Sequence, residues 1–424
     1  MPERRDPIFP SQFLLPLVLV TALFFLWGIP NNLNDVLIRQ FMKSFAITRM
    51  QAGLVQSAFY MGYFLLALPS ALYMRKLGNK AGFVTGLALF GTGTFMFWPA
   101  ALVARYWLFL LSLFIMASGL AFLETASNTF IALCGSAETA ERRLNFAQAF
   151  NPLGSISGVL IGTIFIFSGV ELSAGRVASL SPVQYQAYLH GEILRVVRPY
   201  MVLGIVALAW ALLILLCRFP RLRDEEQEQK ARPMPAMALL RQRTLITSIV
   251  AQFFYVGAQV GTWSYFISYV QDYSGQGEKV GGYFLTGTLC MFAGGRFISA
   301  WLMKFVAPAR LMAIYSAINI LLVGVGTFMP GWIGIWAIFF TSFFMSLMYP
   351  TIFALGIEGL GPSSKVGGSL LVMAIIGGAV LTPLMGIIAD ESKHLAWAYA
   401  VPLIGYAVIA FYSVYRLRRP KLVS

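Results

Sequence analysis

The stretch FFLWGIPNNLND, Phe24 to Asp35, decides how this chain is read. Its first half continues an apolar run that begins at Phe13 and has the make-up of a membrane-spanning helix. Its second half sets Asn31, Asn32, Asn34 and Asp35 in that helix before the chain can have left the bilayer. A carboxylate at such depth costs on the order of 2.5–3.5 kcal/mol by insertion scales. Polar residues persist there only where they face protein or water rather than lipid.

The rest of the chain agrees with a membrane reading. Of its 424 residues 58% are hydrophobic and 11% charged, with a mean hydropathy of +0.74; soluble domains carry about 25% charged residues. A span takes about 20 apolar residues. Twelve such runs lie near 13–38, 50–74, 81–104, 106–134, 144–170, 199–217, 244–271, 280–303, 311–329, 332–357, 366–389 and 395–415. In lipid the backbone must satisfy itself, so the runs are helices. The first is too long for a signal peptide and lacks a small-residue cleavage site, and is expected to stay as the first span. The expected fold is an all-α membrane protein of twelve transmembrane helices in two pseudo-symmetric six-helix bundles.

Charge sets the orientation. With the N-terminus inside, 21 of the 31 Lys and Arg residues fall on the cytoplasmic side, which the positive-inside rule favours with both termini cytoplasmic. The net charge of +14 is then read as topology and attraction to anionic lipid, with no nucleic-acid partner. Cys134, Cys217 and Cys290 show no metal-like spacing, and His190 and His394 fall in polar connections, so neither metal nor cofactor is expected.

The polar, mixed-charge segment from Arg218 to Arg243 suits a solvated linker. It divides the chain into an N-terminal half (1–218), a cytoplasmic linker (219–243) and a C-terminal half (244–424), while Glu171–Arg198 forms a long outward connection. The halves echo each other. FFLWGIPNNLND aligns with FFYVGAQVGTWS (Phe253–Ser264), GYF at Gly62 with GRF at Gly295, NTFIAL at Asn128 with PTIFAL at Pro350, and NPLGSISGVLIG at Asn151 with IIGGAVLTPLMG at Ile375. Paired six-helix halves with a site between them are a transporter architecture.

Three ionisable residues fall clearly inside the marked spans: Asp35, Glu124 and Arg296. Arg296 is expected to snorkel or to cap a neighbouring helix. Asp35 shares a helix face with Asn31 and Asn32. Glu124 stands one turn from Asn128, and Gln148, Asn151 and Ser155 share a face of the next span. Glu124 and Asn151 both lie roughly 14–15 Å from the cytoplasmic end at 1.5 Å per residue, so a hydrogen bond between them is expected, with Asp35 nearer the outer mouth. The second half offers no acid in register: Asp35 aligns with Ser264 and Glu124 with Ser346. It brings Gln252, Tyr255, Gln259 and Trp263 at helical spacing, and Tyr349 beside Pro350, a set of amides and aromatic faces that suits a sugar ring. Gly154, Gly158, Gly162, Gly377, Gly378 and Gly386 are read as close helix contacts rather than ligands.

On these residues the sequence resembles a known family. NNLND, QAGLVQSAFYMGYF, LETAS, RLNFAQAFN, AQFFYVGAQ, YFLTGT and YPTIFALGI resemble, in order and over almost the whole chain, the bacterial L-fucose:proton symporters, in the fucose–galactose–glucose branch of the major facilitator superfamily. The resemblance implies proton-coupled uptake of a monosaccharide by alternating access in the bacterial inner membrane, by a monomer, with the proton as coupling ion and no cofactor. It implies that Asp35 and Glu124 are the proton-coupling acids, that Glu124, Gln148 and Asn151 line the sugar site, and that Trp27 and Asn32 of the first helix join them. Three positions depart from the family pattern: Gly28 with Pro30, Thr129 where proline is usual, and Met74 where the gate motif usually has an acid. The rival readings are an uncoupled facilitator or exchanger, which the intramembrane acids oppose, and a polytopic membrane enzyme, for which no catalytic set is present.

Overall fold

The computed structural model describes residues 14–134, 146–148, 150–172, 177, 179–219, 239, 241–303, 305–358, 360 and 363–418. Their regular structure is helical throughout. The first six helices are α1 (Leu14–Phe45), α2 (Arg49–Leu77), α3 (Asn79–Phe95, continued by Phe97–Val103), α4 (Tyr106–Leu133), α5 (Phe150–Ile161, continued by a wider π turn Gly162–Ile166) and α6 (Pro182–Leu216). The last six are α7 (Arg243–Ser274), α8 (Glu278–Leu302), α9 (Pro308–Phe328), α10 (Trp332–Met345, then Met348–Ile357), α11 (Ser364–Met373, then Ile376–Ser392) and α12 (Leu395–Ala398, then Ala400–Arg418).

Eleven of these are long and apolar enough to cross a membrane on length and composition. The remaining one, α8, has 25 residues but carries Glu278, Lys279 and Arg296 among several glycines. Most of the linker expected at 219–243, the basic pair Arg142–Arg143 and both chain ends lie outside the described residues.

One expectation is corrected. The connection 171–198, read as a loop, is helical from Pro182 onward. Ser181 and Gln184 form a reciprocal capping box with Pro182 in the first turn, a strong start signal. The polar residues that follow hid this start from a hydropathy reading. A second capping box, Thr48 with Gln51, opens α2 three residues after α1 ends.

Between apolar helices in lipid, close packing supplies what hydrophobic burial cannot, and small residues allow it. Within the first six, α1 lies on α5. A Cβ on Gly154 would run into the Phe25 carbonyl, and one on Gly158 into that of Ile29. Within the last six, Gly377 sits against the Phe253 carbonyl of α7 in the same manner. Across the two sets, Gly386 of α11 meets the backbone of Met50 and Gly378 meets Tyr60, both on α2. The glycines read as packing residues are therefore packing residues.

Candidate functional site

Contacts between the two sets of six gather at the end of the bundle that holds the α1–α2 turn. There Ser57 Oγ donates to the Ala379 carbonyl at 2.6 Å, and Tyr265 donates to the Arg49 carbonyl at 2.8 Å. Asp390 of α11 accepts from the Arg49 and Met50 N–H groups at 3.2 and 2.9 Å, satisfying two of the amides that a helix N-terminus leaves unpaired. Lys43 Nζ lies 2.9 Å from Glu192 and 2.8 Å from Glu278, and both carboxylates are almost fully buried. Glu278 also accepts from Gly169 N–H at 2.9 Å. One lysine thus joins α1, α6 and α8. Arg49 pairs with Asp272 in a more exposed position. Glu192 and Glu278 escaped the reading of the sequence because they lie just outside the apolar runs; the helical start at Pro182 and the first-turn position of Glu278 were the available signals.

Below this closed end sits Asp35, 2% exposed. Asn32 Nδ2 donates to one carboxylate oxygen at 3.0 Å, as their helix-face spacing suggests. The other oxygen accepts from Gln56 Nε2 of α2 at 2.8 Å and from Ser264 Oγ of α7 at 2.9 Å. Gln56 Nε2 is also 3.0 Å from Ser264 Oγ. Gln56 was not singled out in the sequence, although a glutamine in the middle of the apolar α2 run was a visible sign.

Glu124, further along towards the other end, is only half-buried. It makes no hydrogen bond to another described residue, and it lies within electrostatic reach of Tyr60 and Tyr63 of α2 and Tyr349 of α10. Asn128, Gln148, Asn151, Gln259, Tyr349 and Arg296 are half-buried too. Charged and amide groups at these depths are costly against lipid and face the bundle interior or water.

The expected Glu124–Asn151 hydrogen bond is not formed. Asn151 Nδ2 reaches the Phe24 carbonyl of α1 at 3.5 Å, because the glycine-mediated approach of α5 to α1 draws this face towards α1. Gln148 donates instead to Asn128 at 3.3 Å. Trp27 is buried against Phe24, with ring centroids 4.3 Å apart.

The aromatic residues of the last six helices are built around a break in α10. Pro350 has no N–H to give Ser346, four residues earlier, so that carbonyl is released. Arg296 Nε takes it at 3.4 Å, with the guanidinium 5.0 Å above the Phe292 ring. The Met345 carbonyl at the same break accepts from Tyr255 at 3.0 Å. Arg296 therefore caps a neighbouring helix, one of its two expected roles. Trp263 Nε1 donates to Ser342 at 3.0 Å and meets Phe292 edge-on. Tyr349 lies 6.3 Å from the Tyr255 ring. Gln252 is fully buried with neither amide atom paired among the described residues.

Comparison with known proteins agrees with this architecture. The family model described as Major Facilitator Superfamily matches residues 17–370. The L-fucose-proton symporter of Escherichia coli (strain K12) is 42% identical over 96% of this chain and 94% of its own length. That of Haemophilus influenzae is 35% identical over 96% and 97%, and the glucose/galactose transporter of Brucella abortus 31% over 93% and 92%. Among solved structures, the transporter FucP in its outward conformation superposes with a TM-score of 0.71 at 41% identity, covering 96% of this chain and 99% of that one. A D-xylose-proton symporter, at 11% identity and a TM-score of 0.74 over 97% and 99%, shares the fold alone.

Proposed function

The chain belongs to the major facilitator superfamily, and from that premise we propose that it imports a monosaccharide together with protons by alternating access. The sugar is L-fucose or a related hexose such as galactose or glucose, in line with the names its relatives carry. The observation that carries the reading is a pair of intramembrane carboxyl groups in different settings: Asp35 sealed where the two sets of helices meet, and Glu124 half-open opposite tyrosines from both sets. No such pair is needed by an uncoupled facilitator.

In this reading Asp35 is the proton-coupling acid. Glu124 works beside the sugar, with Gln148, Asn151, Gln259 and Tyr349 lining a passage and Trp27, Asn32, Tyr255 and Trp263 supporting it. Residues 1–218 and 244–424 act as two rocking units, and the protein works as a monomer in the bacterial inner membrane. With the Lys and Arg bias read as placing the α1–α2 turn outside, the end where the two sets of helices join is the outer one.

The experiment is uptake of radiolabelled L-fucose, galactose and glucose into proteoliposomes, with and without an imposed pH gradient. Uptake of one of them should rise as external pH falls, because Asp35 loads its proton from outside, and adding that sugar should make a weakly buffered medium alkaline. Sugar flux without alkalinisation at any pH would leave a uniporter.

A further inference from the structure

Resting on the reading of Asp35 as the coupling acid, we propose that Ser264, oriented by Gln56, is the positioning residue that ties the protonation of Asp35 to closure of the two sets of helices. A carboxylate only accepts hydrogen bonds, whereas a carboxylic acid must also place its own proton on an acceptor. The surroundings of Asp35 consist of donors: Asn32 at 3.0 Å, Gln56 at 2.8 Å and Ser264 at 2.9 Å. Gln56 Nε2 lies 3.0 Å from Ser264 Oγ as well. The hydroxyl oxygen thereby accepts from the amide, and its own proton is directed at Asp35. This cradle fits the ionised form.

The three donors differ in origin. Asn32 travels with Asp35 on α1, and Gln56 belongs to the same set of six. Only Ser264, on α7, comes from the other set. Separation of the sets at this end withdraws Ser264 and frees Gln56, whose buried Oε1 has no partner among the described residues, to turn over and accept from a protonated Asp35. Closure restores the donors, and the carboxyl proton leaves to water in the passage on the far side.

Few other ionisable groups face this acid. Tyr60, one turn along α2 from Gln56, is within reach of both Asp35 and Glu124. Arg39, one turn along α1, is engaged by Glu171, and Lys43 by Glu192 and Glu278. On the facing helices, Asp272 of α7 is held by Arg49, and Asp390 of α11 caps α2.

Internal symmetry gives the pairing its logic. Asp35 and Ser264 occupy corresponding positions in the aligned segments FFLWGIPNNLND and FFYVGAQVGTWS. Equivalent residues that touch lie on the axis relating the repeats. Two acids there would repel on closure and two serines could not titrate, whereas an acid facing a hydroxyl can do both tasks.

The test compares Ser264→Ala, Ser264→Thr and Asp35→Asn in proteoliposomes. It measures sugar counterflow, which needs no net proton transfer, beside accumulation driven by a pH gradient across external pH. Ser264→Ala should keep counterflow within about twofold, lose about 10–150-fold in driven accumulation, the scale of one charge-assisted hydrogen bond, and change its pH profile. Ser264→Thr, which keeps the hydroxyl, should restore both. Wild-type accumulation and pH profile in Ser264→Ala overturn the inference. So does equal loss of counterflow and accumulation without rescue by threonine, which marks a purely structural role. Asp35→Asn separates the two levels: if it accumulates sugar like the wild type the coupling-acid reading itself fails, and if it alone loses accumulation only the role of Ser264 does.

Discussion

Glu278→Gln isolates the ionic latch between the two sets of helices. Lys43 Nζ lies 2.8 Å from Glu278 and 2.9 Å from Glu192, and the Glu278 side chain is fully buried. Glutamine keeps the length and one acceptor oxygen for Lys43 and the Gly169 N–H, while its NH2 replaces the second oxygen that accepts from Lys43 at 2.9 Å, so the charge and one of the two Lys43 contacts are removed. A hydrogen bond to a charged group contributes about 1.5–3 kcal/mol and a neutral one about 0.5–1.5, a difference of about 1–2 kcal/mol. Lys43 is not stranded, because Glu192 remains, so the larger cost of an unpaired buried charge does not apply. Glu278 also begins α8, where negative charge meets the helix dipole, but that interaction is made whether this end is open or shut and cancels. The population open at this end should therefore rise about 5–30-fold. A cysteine at Thr163, which is fully buried and packed on Gly282 across the two sets, reports it in a background with Cys134, Cys217 and Cys290 replaced. Its labelling rate by a membrane-impermeant maleimide should rise by the same factor. Asp272→Asn is the contrast: its partly exposed pair with Arg49 contributes about 0–1 kcal/mol, and labelling should change less than about fivefold. Equal rates in Glu278→Gln and the parent would refute the latch.

Other positions give sharper contrasts. Glu124→Gln should weaken sugar binding about 5–150-fold, the range of one polar contact of about 1–3 kcal/mol to a buried ligand, measured by equilibrium binding; unchanged affinity would remove Glu124 from the sugar site. Arg296→Leu strands the Ser346 carbonyl and should lower the melting temperature by a few degrees, at about 1–3 kcal/mol for an unsatisfied buried acceptor. Adding Pro350→Ala supplies an N–H to that carbonyl and should recover part of the loss, so additive losses would count against the capping role. Gly158→Ala drives a methyl into the Ile29 carbonyl, whereas Gly162→Ala meets the movable side chains of Val36 and Leu33. Detergent-solubilised yield of folded protein should fall much further for the first, and equal yields would speak against a tight α1–α5 seam.

The membrane class, the helix count and the transporter family were legible because each depends on long or repeated features of the chain. The twelve apolar runs need only be counted, and the repeat at an offset near 229 residues is visible once Phe24 is set beside Phe253. The glycines of α5 and α11 were legible for the same reason, since their spacing already describes a packed face. The start of α6 was less so. Its capping box is written in Ser181 and Gln184, but hydropathy outweighed it.

What only the tertiary structure decided is which polar groups meet. The sequence set Asp35 and Ser264 at equivalent places in the repeat, but not in contact. Their 2.9 Å hydrogen bond exists because α1 and α7 are brought together at one end of the bundle. The sequence put Asn151 at the right depth for Glu124, yet depth fixes one coordinate and not the rotation of a helix about its axis. The close seam between α5 and α1 turned Asn151 to the Phe24 carbonyl instead. Lys43, Glu192 and Glu278 lie far apart in the chain, and nothing local marks them as partners. Periodicity and composition report each helix against its solvent, whereas the site is made where helices from both halves of the chain face each other.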